Sequence, residues 1–550
     1  MLCLAMAFWP LTVEIIITFV LSSYLLNRFG NWVDQNIVTT VSVFISWFFS
    51  FIVIFILPLD ISTTTYLQCL QDFNITSHET VVHQMVDQLN VTNVTTTAVP
   101  LIPILPTLSP CEEPWSYAPN QVLPTLWRIV YWTSQVLTWI VLPLMQSYSM
   151  AGEFTAGGKL KAALIDNAIY YGSFAVIFIV FIIYVSIKTH LSLEGIKIIC
   201  ITAANTWGLF LLVVLLGYGL VEIPRSCFNS SHYGRTLSYL YFRVSKLSAE
   251  KCESDEKLED VLEEIQTCLE SLSGDHDPMR PYLDIIVDKC PPEWKQQMMT
   301  RLAQNSSLSV NYSGNGFNEK SLTRMHKNII QAMQTNHRTH CQWNRIISQS
   351  IEWEDVAKNE VSLSRLYRPT IEKRRSMSTL ANIIRESVYT PKIEWYWKCL
   401  FRSYFYRVLG YVLTVFSLMV VWSEMTFSVE SIPLSIFALI MKALRNNYSY
   451  FLIESFSIVS IAYLCVCAYY TVFKIRIFNY YYLSAHHQTD EYSLIFCGML
   501  LCRLAPPLCL NYLGLIQLDS HITHITKKET AFTQIMGHLD VISFIGDIFN

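Results

Sequence analysis

Three sets of residues have the types and spacing to do chemistry. Glu454 and Arg503 each sit inside a run of about twenty apolar residues, where a charge is costly and normally faces a bundle interior, water or an opposite charge. They are a candidate intramembrane polar pair. Between their runs lies Phe478-Asn-Tyr-Tyr-Tyr482-Leu-Ser-Ala-His486-His487-Gln-Thr-Asp490, whose paired histidines and aspartate invite a metal or acid–base reading. Neighbouring histidines rarely aim at one ion, no second cluster completes a ligand set, and the spacing matches no zinc pattern. No nucleophile stands beside a base, so the expectation is a non-enzyme with no catalytic residue, no metal and no cofactor.

The third set concerns modification. N-x-Thr acceptors occur at Asn74, Asn90 and Asn93. Cys69 and Cys111 are the only cysteines between Pro58 and Val122, and in an oxidising lumen they are expected to pair. Closing about 43 residues would contribute roughly 4 kcal/mol in the chain-entropy picture. Ser376 and Ser378 follow Arg374 and Arg375 in a basic stretch and are candidate phosphorylation sites.

The elements that must position these residues are membrane helices. Of 550 residues, 52% are hydrophobic and 15% charged, against about 25% charged in an average soluble domain. The fold class expected is all-α: a polytopic transmembrane helical bundle with a helical-hairpin, coiled-coil arm. Spans fall near 8–26, 37–57, 123–147, 168–187, 196–221, 406–424, 450–473 and 492–516. Trp127-Arg128 reads as an interfacial belt with a snorkelling arginine. The segment 58–122 holds six acids and no Lys or Arg, whereas Arg28, Lys159, Lys161, Lys474 and Arg476 flank the other ends of the spans. By the positive-inside rule the N-terminus and the acidic segment face outward and the arm faces the cytosol. No uniform basic field suggests nucleic acid as a partner.

The arm repeats Leu240, Val244, Leu247, Lys251, Ser254, Leu258, Val261, Ile265, Cys268 and Leu272 at 4-3 spacing, a coiled-coil seam with two polar breaks. A second long helix, from Glu319 to Asn359, would return with Leu322, Met325, Ile329, Trp343, Ile347 and Ile351 inward. The organisation expected is an outer N-terminus and spans one and two (1–57), an extracellular glycosylated loop (58–122), and spans three to five (123–221). A cytosolic coiled-coil arm follows (222–364), then a basic disordered linker near anionic membrane lipid (365–390). A pre-membrane segment with spans six to eight (391–516) leads to an outer loop and the truncated start of a ninth span (517–550).

Several stretches resemble one family. Phe55-Ile-Leu-Pro58-Leu-Asp60-Ile-Ser-Thr-Thr, Val130-Tyr-Trp132-Thr-Ser-Gln135, Ala203-Ala-Asn205-Thr-Trp-Gly208 and Leu504-Ala-Pro-Pro507-Leu-Cys-Leu-Asn511 are similar to the limb-region (LMBR) type membrane proteins along nearly the whole chain. The resemblance implies about nine spans, an outer N-terminus and a long cytosolic arm between spans five and six. Members are described as lipocalin receptors, as an escort for lysosomal vitamin transport, and as regulators of G-protein-coupled receptor signalling, one branch at the plasma membrane with adrenergic-type receptors. The function it implies is regulation or scaffolding of such a receptor. The alternative is a transporter, a channel or a transporter's escort, at the plasma or an endolysosomal membrane.

Overall fold

The computed structural model describes residues 9–31, 35–91, 111, 113–119, 121–188, 193–271, 279–305, 318–371, 390–426, 434–447, 449–475, 481–484, 486–518 and 529–536. Among them there are helices and no β-strand. In chain order these are α1 (Trp9–Phe29), α2 (Ile37–Val91), and α3, which runs Val122–Val136, passes a π-helical stretch Leu137–Val141 and ends with Leu142–Met150. Then come α4 (Ala156–Lys188), α5 (Leu193–Ser231), α6 (Tyr233–Ser271), α7 (Arg280–Asp288), α8 (Pro292–Asn305) and α9 (Glu319–Glu360). α10 joins Pro391–Trp395, a π-helical stretch Tyr396–Phe401 and Arg402–Thr426; α11 (Ile436–Asn446), α12 (Tyr450–Lys474), α13 (Glu491–Leu515) and α14 (Ala531–Met536) complete the list.

Seven of these helices are long and apolar enough to cross a membrane. The protein is an all-α, multi-pass membrane protein, and each of the eight expected spans overlaps a helix along nearly its whole length. The third expected span, α3, is not among those seven and is interrupted by its π-helical stretch ahead of Pro143, where the proline ring forces a local change of hydrogen bonding.

α13 is the axis. Its residues are small or unbranched at the contacts (Cys497, Gly498, Cys502, Ala505, Cys509), which lets α2, α3, α5 and α12 close around it. Interhelical hydrogen bonds replace what water would supply: Thr471 Oγ1 donates to the Leu215 carbonyl at 2.9 Å, Ser417 Oγ to Leu220 at 2.7 Å and Tyr469 OH to Ser50 at 3.1 Å. α5 and α12 touch backbone to backbone at Gly219, where a Cβ would lie 2.1 Å from the Cys467 carbonyl oxygen. α1 lays the stripe Glu14, Thr18, Ser22 and Leu26 against the bundle.

Two readings of the sequence need correction. α2 does not stop at residue 57: it continues through Pro58 to Val91, so the first part of the expected outer loop is helix. Tight packing of Leu59, Asp60, Ile61 and Ser62 holds the backbone that proline weakens. Trp127 is not an interfacial belt residue but is wholly buried, donating its indole N–H to Asp60 Oδ2 at 3.0 Å.

The arm is α6 running antiparallel to α9, with α7 and α8 beneath its far end. Tyr241 pairs with Glu354, Ser254 with Thr339 and Asp255 with His340, a constant antiparallel register. The polar break at Ser254 is thereby satisfied, its hydroxyl 2.7 Å from that of Thr339. On α9, Leu322, Met325 and Ile329 are buried as expected, but farther along Ile346 occupies the seam and Ile347 and Ile351 flank it. The arm lies at one end of the bundle and the Cys69–Cys111 segment at the other, because α2 separates them by its whole length.

Candidate interface between the helical arm and the membrane bundle

A helix end leaves carbonyls without intrahelical partners. At the end of α1 the segment 481–490 fills that need: the N–H groups of His486 and His487 donate to the Arg28 carbonyl at 2.8 and 3.4 Å, and that of Thr489 to Phe29 at 3.4 Å. His487 Nδ1 lies 2.8 Å from the Gly30 carbonyl, which requires its proton on Nδ1. Both histidines take left-handed backbone (φ 69° and 63°), the geometry of a tight turn that reverses onto the helix end. Asp490 caps the next helix, its Oδ2 accepting from Ser493 N at 3.0 Å. The His486-His487-Asp490 cluster is thus a double helix cap. Burial, then the cations of Arg345 and Arg28, hold His486 below its ordinary pKa.

The arm docks on this cap. From α9, Arg338 lies over the Tyr482 ring at 5.3 Å and faces Asp490 at 3.8 Å, and Gln342 Nε2 donates to Ser484 Oγ at 2.5 Å. About three turns toward its start, α9 meets the connection between α3 and α4. His326 Nδ1 donates to the Gly152 carbonyl at 2.8 Å, Phe154 stacks on the imidazole at 5.0 Å, and a Cβ on Gly152 would come 2.3 Å from the Thr323 carbonyl. His326 Nε2 is buried without a partner, so the ring is neutral; burial sets its pKa below the ordinary value, and Lys159 and Lys289 add to the shift. At its other end α9 is tied to α10: Trp395 Nε1 donates to the Asn359 carbonyl at 2.8 Å, while Asp355 accepts from the backbone and hydroxyl of Thr370.

Between α9 and the capping segment opens a cleft of about 660 Å³, lined by Gln35, Lys327, Gln331, Arg338, His487 and Glu491 among others. Its walls carry both signs of charge and many amide groups. That chemistry suits polar or charged groups, and among its described lining residues no nucleophile is aligned with a base. Within the arm, burial raises the Asp255 pKa, but hydrogen bonds from His340 and Asn336 outweigh it and hold the carboxyl below its ordinary value. Among the described residues no three His, Cys, Asp or Glu side chains converge as metal ligands.

The structure does not bring Glu454 and Arg503 together. Glu454 is at the far end of the bundle, where its Oε2 accepts from Ser116 Oγ at 2.5 Å, close to the second buried carboxylate, Glu14. Arg503 is halfway along α13, its guanidinium 5.0 Å above the Trp139 ring. The pairing expected from two stray charges fails because both sit on different levels of the bundle. Cys69 and Cys111 are joined by a disulfide, Cα atoms 6.2 Å apart. Asn74 and Asn90 lie on the α2 helix; Asn93, Ser376 and Ser378 lie outside the described residues.

Asp60 is the site residue that sequence reasoning missed. Fully buried on α2, it accepts from Trp127 Nε1 and from the backbone N–H groups of Ala531 (3.0 Å) and Phe532 (2.9 Å), and so holds the start of α14 against the bundle. An aspartate immediately after Leu-Pro-Leu in an apolar run was the available signal.

Comparison with known proteins places these features. A family model described as LMBR1-like membrane protein matches residues 7–550. The chain is 46% identical over 541 residues to G-protein coupled receptor-associated protein LMBRD2B of Danio rerio, covering 98% of this chain and 75% of that protein. It is 45% identical over 541 residues to G-protein coupled receptor-associated protein LMBRD2 of Homo sapiens, with the same coverage. It is 42% identical over 546 residues to LMBR1 domain-containing protein 2 homolog of Drosophila melanogaster, again over 98% and 75% of the two chains. No solved structure matches.

Proposed function

The chain belongs to the LMBR1-like membrane protein family, and we propose that it is a non-enzymatic scaffold that associates with G-protein-coupled receptors of the adrenergic type and regulates their signalling. The names of its relatives support the receptor association. The observation that carries the regulatory reading is the latch of α9 on the bundle. One helix touches the α1 cap, the α3–α4 connection and the start of α10, so displacement of any of them is felt by the arm. In this reading the cation-flanked end of the bundle and the arm face the cytosol, the disulfide-closed and glycosylated segment faces outward, and the protein works at the plasma membrane.

The test is recovery of an agonist-activated adrenergic-type receptor with the full chain and with a latch variant, Arg338→Glu combined with Gln342→Ala. Loss of receptor from the variant, with its membrane level unchanged, supports the proposal. Equal recovery by both, or none by the unaltered chain, overturns it.

A second reading, a transporter or transporter's escort, is favoured by Glu14 and Glu454: two neighbouring carboxylates buried in the bundle, one with an oxygen that no donor meets. Solute movement in liposomes that is abolished by Glu454→Gln would establish it in place of the first.

A further inference from the structure

Arg503 is a cation in the middle of a membrane bundle with no anion beside it among the described residues. It lies twelve residues from Glu491 and twelve from Leu515, roughly 18 Å from either end of α13 and hence deep in a hydrocarbon layer about 30 Å thick. Its Nε is buried and has no hydrogen-bond partner, and no described carboxylate reaches the guanidinium. What surrounds it is aromatic: Trp139 under the guanidinium at 5.0 Å, with Tyr170 and Tyr171 on α4 nearby.

On its lipid side the site is flanked by exposed apolar residues of α3 and α4. α4 packs on the second half of α3 and leaves the remainder of its length exposed, with Phe174 and Ile177 more than half accessible. The carbonyl released at Trp139 by the π-helical stretch is taken by Tyr171 OH at 2.5 Å, and Asn167 spans to Ser147 at 2.9 Å. Those polar groups have partners, and among the described residues around the site Arg503 Nε is left without one.

We propose that the lipid-facing surface of α3 and α4 beside Arg503 binds a long-chain fatty acid, its carboxylate on Arg503 and its acyl chain along the exposed apolar face of α4. Depth selects the ligand. A phospholipid headgroup stays at the interface, more than ten ångströms from Arg503 at the thicknesses above. A single-chain carboxylic acid enters hydrocarbon as the neutral acid, which a phosphodiester cannot do. The planar guanidinium fork matches a carboxylate with two parallel hydrogen bonds.

The experiment uses the full chain in phosphatidylcholine nanodiscs and a palmitic acid carrying a photoactivatable diazirine, with labelled peptides mapped by mass spectrometry. The expected result is saturable labelling of α3, α4 or α13 that unlabelled palmitate displaces and palmitate methyl ester does not. Arg503→Met should weaken it by about tenfold or more, and Arg503→Lys by less, since a cation remains. Displacement by the methyl ester as effective as by the acid overturns the proposal, and does so without any variant having to fold. Labelling confined to other helices, no labelling at all, or displacement by phosphatidylglycerol at equal concentration also overturns it.

Discussion

Asp60 shows how much one side chain can hold. Its two carboxylate oxygens gather the Trp127 indole and two backbone N–H groups at the start of α14, and Phe532 packs edge-on against the Trp127 ring at 4.8 Å. Removing the acceptor strands three buried donors at once. Asp60→Ala is therefore expected to destabilise the detergent-solubilised protein by on the order of 3 kcal/mol and to free α14. The check is maleimide reactivity of a cysteine placed at Thr533, buried in the native protein, which should rise in the Asp60→Ala background. His326 sets a second prediction. Its folded pKa lies below the unfolded value of about 6.5, so the unfolded or undocked state binds the proton more readily. The stability it contributes is complete above about pH 6.5 and is lost as the pH falls through the folded pKa. Protonation would also put a second N–H on Nε2, where no acceptor waits. Protection of residues 151–155 against hydrogen exchange, relative to the intrinsic rate at each pH, should fall on acidification in the native chain, and this pH dependence should flatten in His326→Asn.

At the scale of elements, the close approach of α5 and α12 yields the most direct test. A methyl group at position 219 would overlap the Cys467 backbone, which belongs to a helix interior and cannot step aside. Gly219→Ala should cost about 1–3 kcal/mol and lower the melting temperature, whereas alanine at Gly217, whose Cβ would meet nothing, should leave it unchanged. The helices were legible in the sequence because a stretch such as 492–516 is too long and apolar to be anything but a span, and because leucine at 4-3 spacing marks one face of α6. The extension of α2 past Pro58 was not, since a proline ends a helix unless neighbours hold it, and the groups that grip the Asp60 side chain just beyond it come from α3 and α14, far along the chain. The candidate interface was half legible. His486, His487 and Asp490 stand out as residue types, but that their partners are the carbonyls of α1 and the N–H of Ser493 depends on how helix ends meet in space. Glu454 and Arg503 were conspicuous for the same reason, and their separation was invisible until the helices were placed against one another.

For the whole molecule, charge and architecture can be set against each other. Arg28, Lys159, Lys161 and Lys474 come from three different helices, yet the bundle gathers them at the end where α9 docks. The other end carries the Cys69–Cys111 disulfide and the buried acids Glu14, Asp60 and Glu454. A translocating chain leaves its cations behind, and a disulfide persists where thiols are not reduced, so the proposed reading has the α9 end facing the cytosol and the disulfide end facing outward. Single cysteines at Glu259, exposed on α6, and at Glu113, exposed beside the disulfide, distinguish the alternatives. In intact cells a membrane-impermeant maleimide should modify the cysteine at 113 and spare the one at 259 until the membrane is permeabilised. The reverse pattern would place the arm outside, where it could not meet a receptor's cytosolic segments, and the scaffold reading would fall with it.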